Sequence, residues 1–167
     1  IQSPVTTAGV EIRGVDPERE NLTTGIGSLI SNGEYFGGEA INPLLIGRKL
    51  ADRLRVGVGT RVVLTFQDLQ GELTSAAFLI TGIYTTASPM AERVVYTRLP
   101  ELSGLLSPDS PVLHEIAVRT LEEEQTDPLA ADLSAQFQEA ESLPWHAHSP
   151  ELRIYSEIGN QTTYYRM

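Results

Sequence analysis

The spacing of apolar side chains changes period along the chain, most clearly over residues 46–66 (IGRKLADRLRVGVGTRVVLTF). Ile46, Leu50 and Leu54 recur every four residues and predict one apolar stripe on a short helix over 46–56. Arg48, Lys49, Asp52, Arg53 and Arg55 fall mainly on its other side. Gly57 and Gly59 end the helix and permit a tight reversal. From Val62, apolar side chains then recur at every second position (Val62, Leu64, Phe66), the period-2 pattern of a strand with one buried face. A polar turn over 67–72 follows, and a second strand over 73–84 returns with Phe78 and Ile80 on one face. The pair reads as a β-hairpin whose short loop contains Gly71.

Upstream, 10–15 alternates as a strand, and the Asp16-Pro17 pair marks a turn in which Pro17 opens a helical turn. Residues 21–28 are rich in Thr and Gly and predict irregular backbone, and 29–36 (LISNGEYF) predicts a short helix or turn that delivers Tyr35 and Phe36 to the core. Downstream, 93–98 is a strand and 99–106 a short helix with Pro100 in its first turn. The last third reads as strand (114–120), helix (from Asp127 as N-cap, Pro128 at N1, then Leu129, Leu133 and Phe137), strand (142–146, with Trp145) and a final helix from Ser149. There is no internal repeat and no disordered linker.

The chain has 167 residues, enough for one domain or two small lobes with a real core. No apolar run approaches the roughly 18 residues that a membrane helix needs. Ile1 is not a natural initiator, so a fragment or a processed form is expected. The formal charge of −10 argues against a nucleic-acid partner, which requires clustered Lys and Arg. The absence of cysteine excludes disulfides, thiolate metal sites and a cysteine nucleophile, and fits either side of a bacterial membrane.

Candidate chemistry is sparse. Gly57-x-Gly59 follows a helix and lacks the lysine-containing ending of a phosphate loop, so it reads as a turn. His146 and His148 with nearby Glu151 could chelate a metal, but a closed transition-metal site takes three or four ligands and His114 is far away in sequence, so they read as surface residues. Asp16, Glu18 and Glu20 are paired carboxylates of the kind used in acid/base chemistry, but they follow a strand with no nucleophile nearby. The acidic run Glu122, Glu123 and Glu124 reads as a solvated loop, and the glycosylation-type tripeptides at Asn21 and Asn160 are too short to weigh. No serine sits in a nucleophile elbow. No catalytic, cofactor or metal site is therefore expected. Tyr164, Tyr165 and Arg166 pair aromatic rings with a basic tip, as at a membrane–water interface.

Several segments, in order along nearly the whole chain, resemble the extracytoplasmic (periplasmic) domain of FtsX-like ABC-transporter permeases, the group of MacB and the lipoprotein-releasing permeases LolC and LolE. They are 12–20 (IRGVDPERE), 33–36 (GEYF), 45–64 (LIGRKLADRLRVGVGTRVVL), 78–84 (FLITGIY), 114–119 (HEIAVR), and Trp145 with 149–155 (SPELRIY). The resemblance implies an α+β fold of mixed small sheets with packed helices. A mostly β lobe (16–98, with the central helix 46–56) would join a porter-like βαβ lobe (1–15 and 99–167) whose N-terminal part lies outside this sequence.

It implies a non-catalytic domain between two membrane helices of an export permease in the bacterial cell membrane. Its partners would be a cytoplasmic ATPase subunit or domain and a second permease copy. It would handle a lipoprotein, lipid or peptide substrate or a periplasmic partner, and would touch the membrane only through flanking helices. On this reading Gln67, Asp68, Leu69, Gln70, Gly71 and Glu72, at the hairpin tip, are the expected partner contact, and Tyr164, Tyr165 and Arg166 are membrane-proximal. The tip is shorter than the protruding hairpin shared by carrier-recruiting lipoprotein-releasing permeases, which favours a more generic exporter. The rivals are a free-standing secreted or periplasmic binding module and an acid-catalysis enzyme using Asp16, Glu18 or Glu20.

Overall fold

The run Pro43–Gly47 (PLLIG) contains no polar side chain, and all five of its residues are buried. Such a run suits the interior of a sheet, covered on both faces. In the computed structural model, which describes residues 1–86, 91–106 and 113–148, it is β3, the middle strand of a six-stranded mixed sheet. The others are β1 (Glu11–Val15), β2 (Ile30–Gly33), β4 (Arg61–Gln67), β5 (Leu73–Tyr84) and β6 (Val94–Arg98). The order is β1-β6-β3-β5-β2, and β4 pairs with the outer half of β5 beside β2. The expected α+β fold is present. The helices are α1 (Pro17–Thr24), α2 (Arg48–Leu54), α3 (Leu99–Leu106), α4 (Thr126–Gln136) and α5 (Trp145–His148).

Several expectations are corrected. The helix expected over 46–56 is confined to 48–54, because Ile46 is spent in β3; Leu50 and Leu54 still form its buried side. Residues 30–33 form a strand against β5 after a 3-10 turn at Ile26–Leu29, where a helix or turn was expected. The segment expected to be irregular from 21 instead continues α1 to Thr24, where Gly25 closes it in the left-handed conformation. The strand expected over 114–120 has no ladder partner among the described residues, and that over 142–146 gives way to a helical turn from Trp145. β1 pairs in parallel with β6, and α3 packs on β1 where Gly14 leaves room for Leu102. The two compact units are Ile1–Ala117 and Val118–Met167.

In the first unit, one face of the sheet buries Leu44, Ile46, Val62, Leu64, Phe78, Ile80, Ile83 and Val95 against α2. Ile80 and Ile83 are three residues apart, so strict alternation would set them on opposite faces. β3 pairs Leu44 with Ile80 and then Leu45 with Gly82, so Thr81 is an extra residue that restores them to one face.

α2 has seven residues, far too few for a helix stable on its own. Packing holds it, and so do both of its ends. The N-cap residue Gly47 has no side chain to offer. Instead the carboxylate of Glu92, only 2 % exposed, accepts hydrogen bonds from the Lys49 N–H at 2.9 Å and the Thr86 N–H at 3.3 Å. At the other end, the buried Ser3 hydroxyl donates to the Leu54 carbonyl at 2.9 Å.

The opposite face of the sheet carries an aromatic cluster, with Phe36, Leu45 and Tyr84 buried and Tyr35 and Tyr96 packed against them. The Tyr84 hydroxyl donates to the Val94 carbonyl at 2.6 Å, and that of Tyr35 to the Pro17 carbonyl at 2.9 Å. The Arg98 guanidinium ties down the adjoining loop through the carbonyls of Phe36 (3.0 Å) and Gly38 (2.6 Å). Burial raises the phenol pKa at all three tyrosines; at Tyr35, with Glu20 and Asp16 adding to the effect, it reaches about 12. Folding thus favours the protonated phenol. Its contribution to stability is full below about pH 10 and is lost as pH rises through about 12. In an alkaline titration read by phenolate absorbance, Tyr35→Phe is expected to remove one late-titrating phenol. Removal of an early one contradicts the assignment.

Candidate functional site

The hairpin tip predicted from sequence is present and has a defined internal structure. β4 and β5 pair from Arg61 opposite Leu79 to Gln67 opposite Leu73. Outward-facing Thr65 and Ser75 add a cross-strand hydroxyl bond of 2.8 Å. Beyond them the chain must reverse, and Asp68 organises that reversal. Its carboxylate accepts from the Gln70 N–H at 3.0 Å and the Glu72 N–H at 2.8 Å. Its own N–H donates to the Glu72 carbonyl at 2.9 Å, and its carbonyl accepts from the Gly71 N–H at 3.1 Å. Gly71 sits at φ +84°, a conformation that a side chain would oppose.

Asp68 is therefore a builder of the tip, because its Oδ1 holds two of the loop's own N–H groups. The side chains presented outward are those of Leu69, Gln70 and Glu72, with Leu73 at the base of the loop. Leu69 is 51 % exposed and Leu73 77 %, so the tip offers apolar surface between polar groups. It is also anchored, since the Leu69 N–H reaches the Leu106 carbonyl at the end of α3 at 3.4 Å. β5 joins this tip to the centre of the sheet: its 12 residues are flanked by β4 in the outer half and by β3 and β2 in the inner half. At about 3.3 Å per residue the strand spans roughly 40 Å.

The other sequence candidates lie apart from the tip. The Gly57 N–H bonds to the Thr60 hydroxyl at 3.2 Å and the Gly59 N–H to the Ile80 carbonyl at 2.8 Å. These donors shape a turn and are not free to cradle an anion. Asp16 caps α1 by accepting from Glu18 N–H and Arg19 N–H, Glu18 is solvated, and Glu20 meets the Thr24 hydroxyl at 3.1 Å. Tyr164, Tyr165, Arg166 and Glu151 lie outside the described residues.

In the second unit, the His148 side chain lies outside the described residues. His146 meets Asp127 at 2.7 Å, and Asp127 lies in the first turn of α4 instead of capping it. These two, with Glu123, Glu124, Thr126 and Trp145, line an open cleft of about 270 Å³. Among the described residues no group of three or more acidic, His or Cys side chains is arranged to hold a metal. Sequence reasoning missed Glu92 altogether. No local pattern signals a helix cap placed more than forty positions from its helix. No helix among the described residues is long and apolar enough to cross a membrane.

Comparison with models of known protein families found no match. Comparison with curated proteins likewise found none.

Proposed function

We propose that this chain is the non-catalytic extracytoplasmic domain of an ABC-type export permease, with the β4–β5 hairpin as the element that meets substrate or partner. ATP hydrolysis would occur in a cytoplasmic ATPase subunit or domain. The domain would convert the resulting motion into handling of a lipoprotein, lipid or peptide, or of a periplasmic partner, outside the membrane. The observation that carries this reading is the hairpin. One continuous strand joins the buried centre of the sheet to a tip whose turn is fixed from within and whose Leu69, Gln70 and Glu72 face outward. A rigid ribbon of this kind transmits displacement, and an exposed loop on a rigid scaffold is where contacts concentrate. The run of family-like segments in the sequence points the same way.

Replacement of Leu69, Gln70 and Glu72 together by alanine in the complete permease complex is expected to lower transport about tenfold while leaving folding intact. Asp68→Ala is expected to reduce transport too, but by loosening the tip, with a stability loss of about 1 kcal/mol from the two turn hydrogen bonds it gives up. Full transport by the triple variant contradicts the assignment of the tip.

The second reading, a free-standing binding module, draws on the cleft at Trp145, where an indole ring adjoins Glu123, Glu124 and Asp127. Its test is a calorimetric titration with small organic amines, which should bind there and be lost on Trp145→Ala.

A further inference from the structure

Residues 113–121 (LHEIAVRTL) carry the alternation of a strand, yet no strand is assigned to them. Residues 113–119 are exposed, and Leu113, Ile116, Val118 and Leu121 each leave more than half of their surface to solvent. Over 113–118 the main chain makes no hydrogen bond to another main-chain group among the described residues. An alternating segment with open N–H and C=O groups is a template for pairing with another chain.

The order of the side chains specifies which chain. Laid antiparallel against itself about Ala117, the segment sets Leu113 opposite Leu121, Glu115 opposite Arg119 and Ala117 opposite Ala117 on one face. On the other face, His114 meets Thr120 and Ile116 meets Val118. Each apolar position then faces an apolar partner, each polar position a polar one, and the two charges face their opposites twice. A move of the axis to Ile116 sets Arg119 against Leu113, and a move to Val118 sets Glu115 against Leu121. Only the Ala117 register satisfies both charge and apolarity.

We infer that residues 113–121 form an isologous interface in which this segment pairs antiparallel with the same segment of a second copy, on a two-fold axis through Ala117. In such an interface residue i meets j and j meets i, as the sequence arrangement requires. Arg13 of β1 also feels the charge of Glu115, but its guanidinium is already bonded to Glu11 at 2.6 Å, which leaves Glu115 available to the second copy. The ribbon is short, so the dimer is reversible, with association expected at micromolar to millimolar concentration. The inference stands independently of the export reading, since it uses only this segment.

The test uses the 167-residue chain in solution. Sedimentation over roughly 1 µM to 1 mM at fixed salt is expected to show a monomer–dimer equilibrium. Glu115→Arg or Arg119→Glu alone sets like charges opposite each other twice and weakens the dimer about tenfold or more. The double exchange Glu115→Arg/Arg119→Glu restores it. Because the chain has no cysteine, Ala117→Cys gives a clean cross-linking probe. Residue 117 meets its own copy within about 4.5–5.5 Å between Cα atoms, inside disulfide range, so mild oxidation joins the two copies. Leu113→Cys, roughly 25 Å from its counterpart along the ribbon, does not cross-link. A chain that stays monomeric throughout, a dimer indifferent to both single reversals, or cross-linking as fast at 113 as at 117 overturns the inference.

Discussion

Glu92→Ala is expected to lower the unfolding free energy by about 3 kcal/mol, a large fraction of the total stability of a domain of this size. The carboxylate is 2 % exposed and accepts from two main-chain N–H groups, one at the start of α2 and one just after β5. Its loss removes the acceptor of both part-buried bonds, and hydrogen bonds to a charged group contribute about 1.5–3 kcal/mol each. Glu92→Gln keeps the shape but gives up one acceptor, and about half the effect is expected. The urea midpoint measures both variants, and an unchanged midpoint for Glu92→Ala contradicts the capping role.

The second large effect is expected at Gly33, where β2 pairs with Gly82 of β5. Gly33 holds φ +80°, and a Cβ there collides with the Thr81 carbonyl oxygen and lies 2.8 Å from Val58 Cγ2. The left-handed conformation costs a side chain about 1–2 kcal/mol and the steric conflict about as much again, so Gly33→Ala should destabilise by about 3 kcal/mol. Gly57→Ala is the control. Nothing lies within 4 Å of the added methyl and its φ is not positive, so a change within about 0.5 kcal/mol is expected. Equal effects at the two positions contradict the close approach of β2 and β5.

Alternation found the elements that have one wet face. The hairpin was legible because Val62 and Leu64 are buried while Arg61, Val63 and Thr65 are exposed. α1 was legible from the proline that opens it, and α4 from the four-residue spacing of Leu129 and Leu133, although it begins at Thr126, two residues before Pro128. β3 was not, because five buried residues in a row carry no period, and Ile46 happens to continue the four-residue spacing of Leu50 and Leu54. The strand at 30–33 was hidden by a register shift between Ile30 and Asn32 that breaks its alternation. Residues 114–120 do alternate, but a period shows only that a segment can pair, not with what.

The tip at 67–72 could be located from its turn residues. The division of labour within it, with Asp68 turned inward and Leu69, Gln70 and Glu72 outward, depends on hydrogen-bond geometry that a sequence does not display. Glu92 is the extreme case, a charged residue whose partners are main-chain groups brought in by the sheet.

The central claim is that this chain belongs outside the membrane in a permease, and the most direct measurement is a hydropathy profile of the parent gene on both sides of residues 1–167. The account predicts apolar runs of about 20 residues shortly before Ile1 and directly after Met167, each long enough to cross a bilayer. A cleavable signal peptide before Ile1 and a stop codon after Met167 would contradict it.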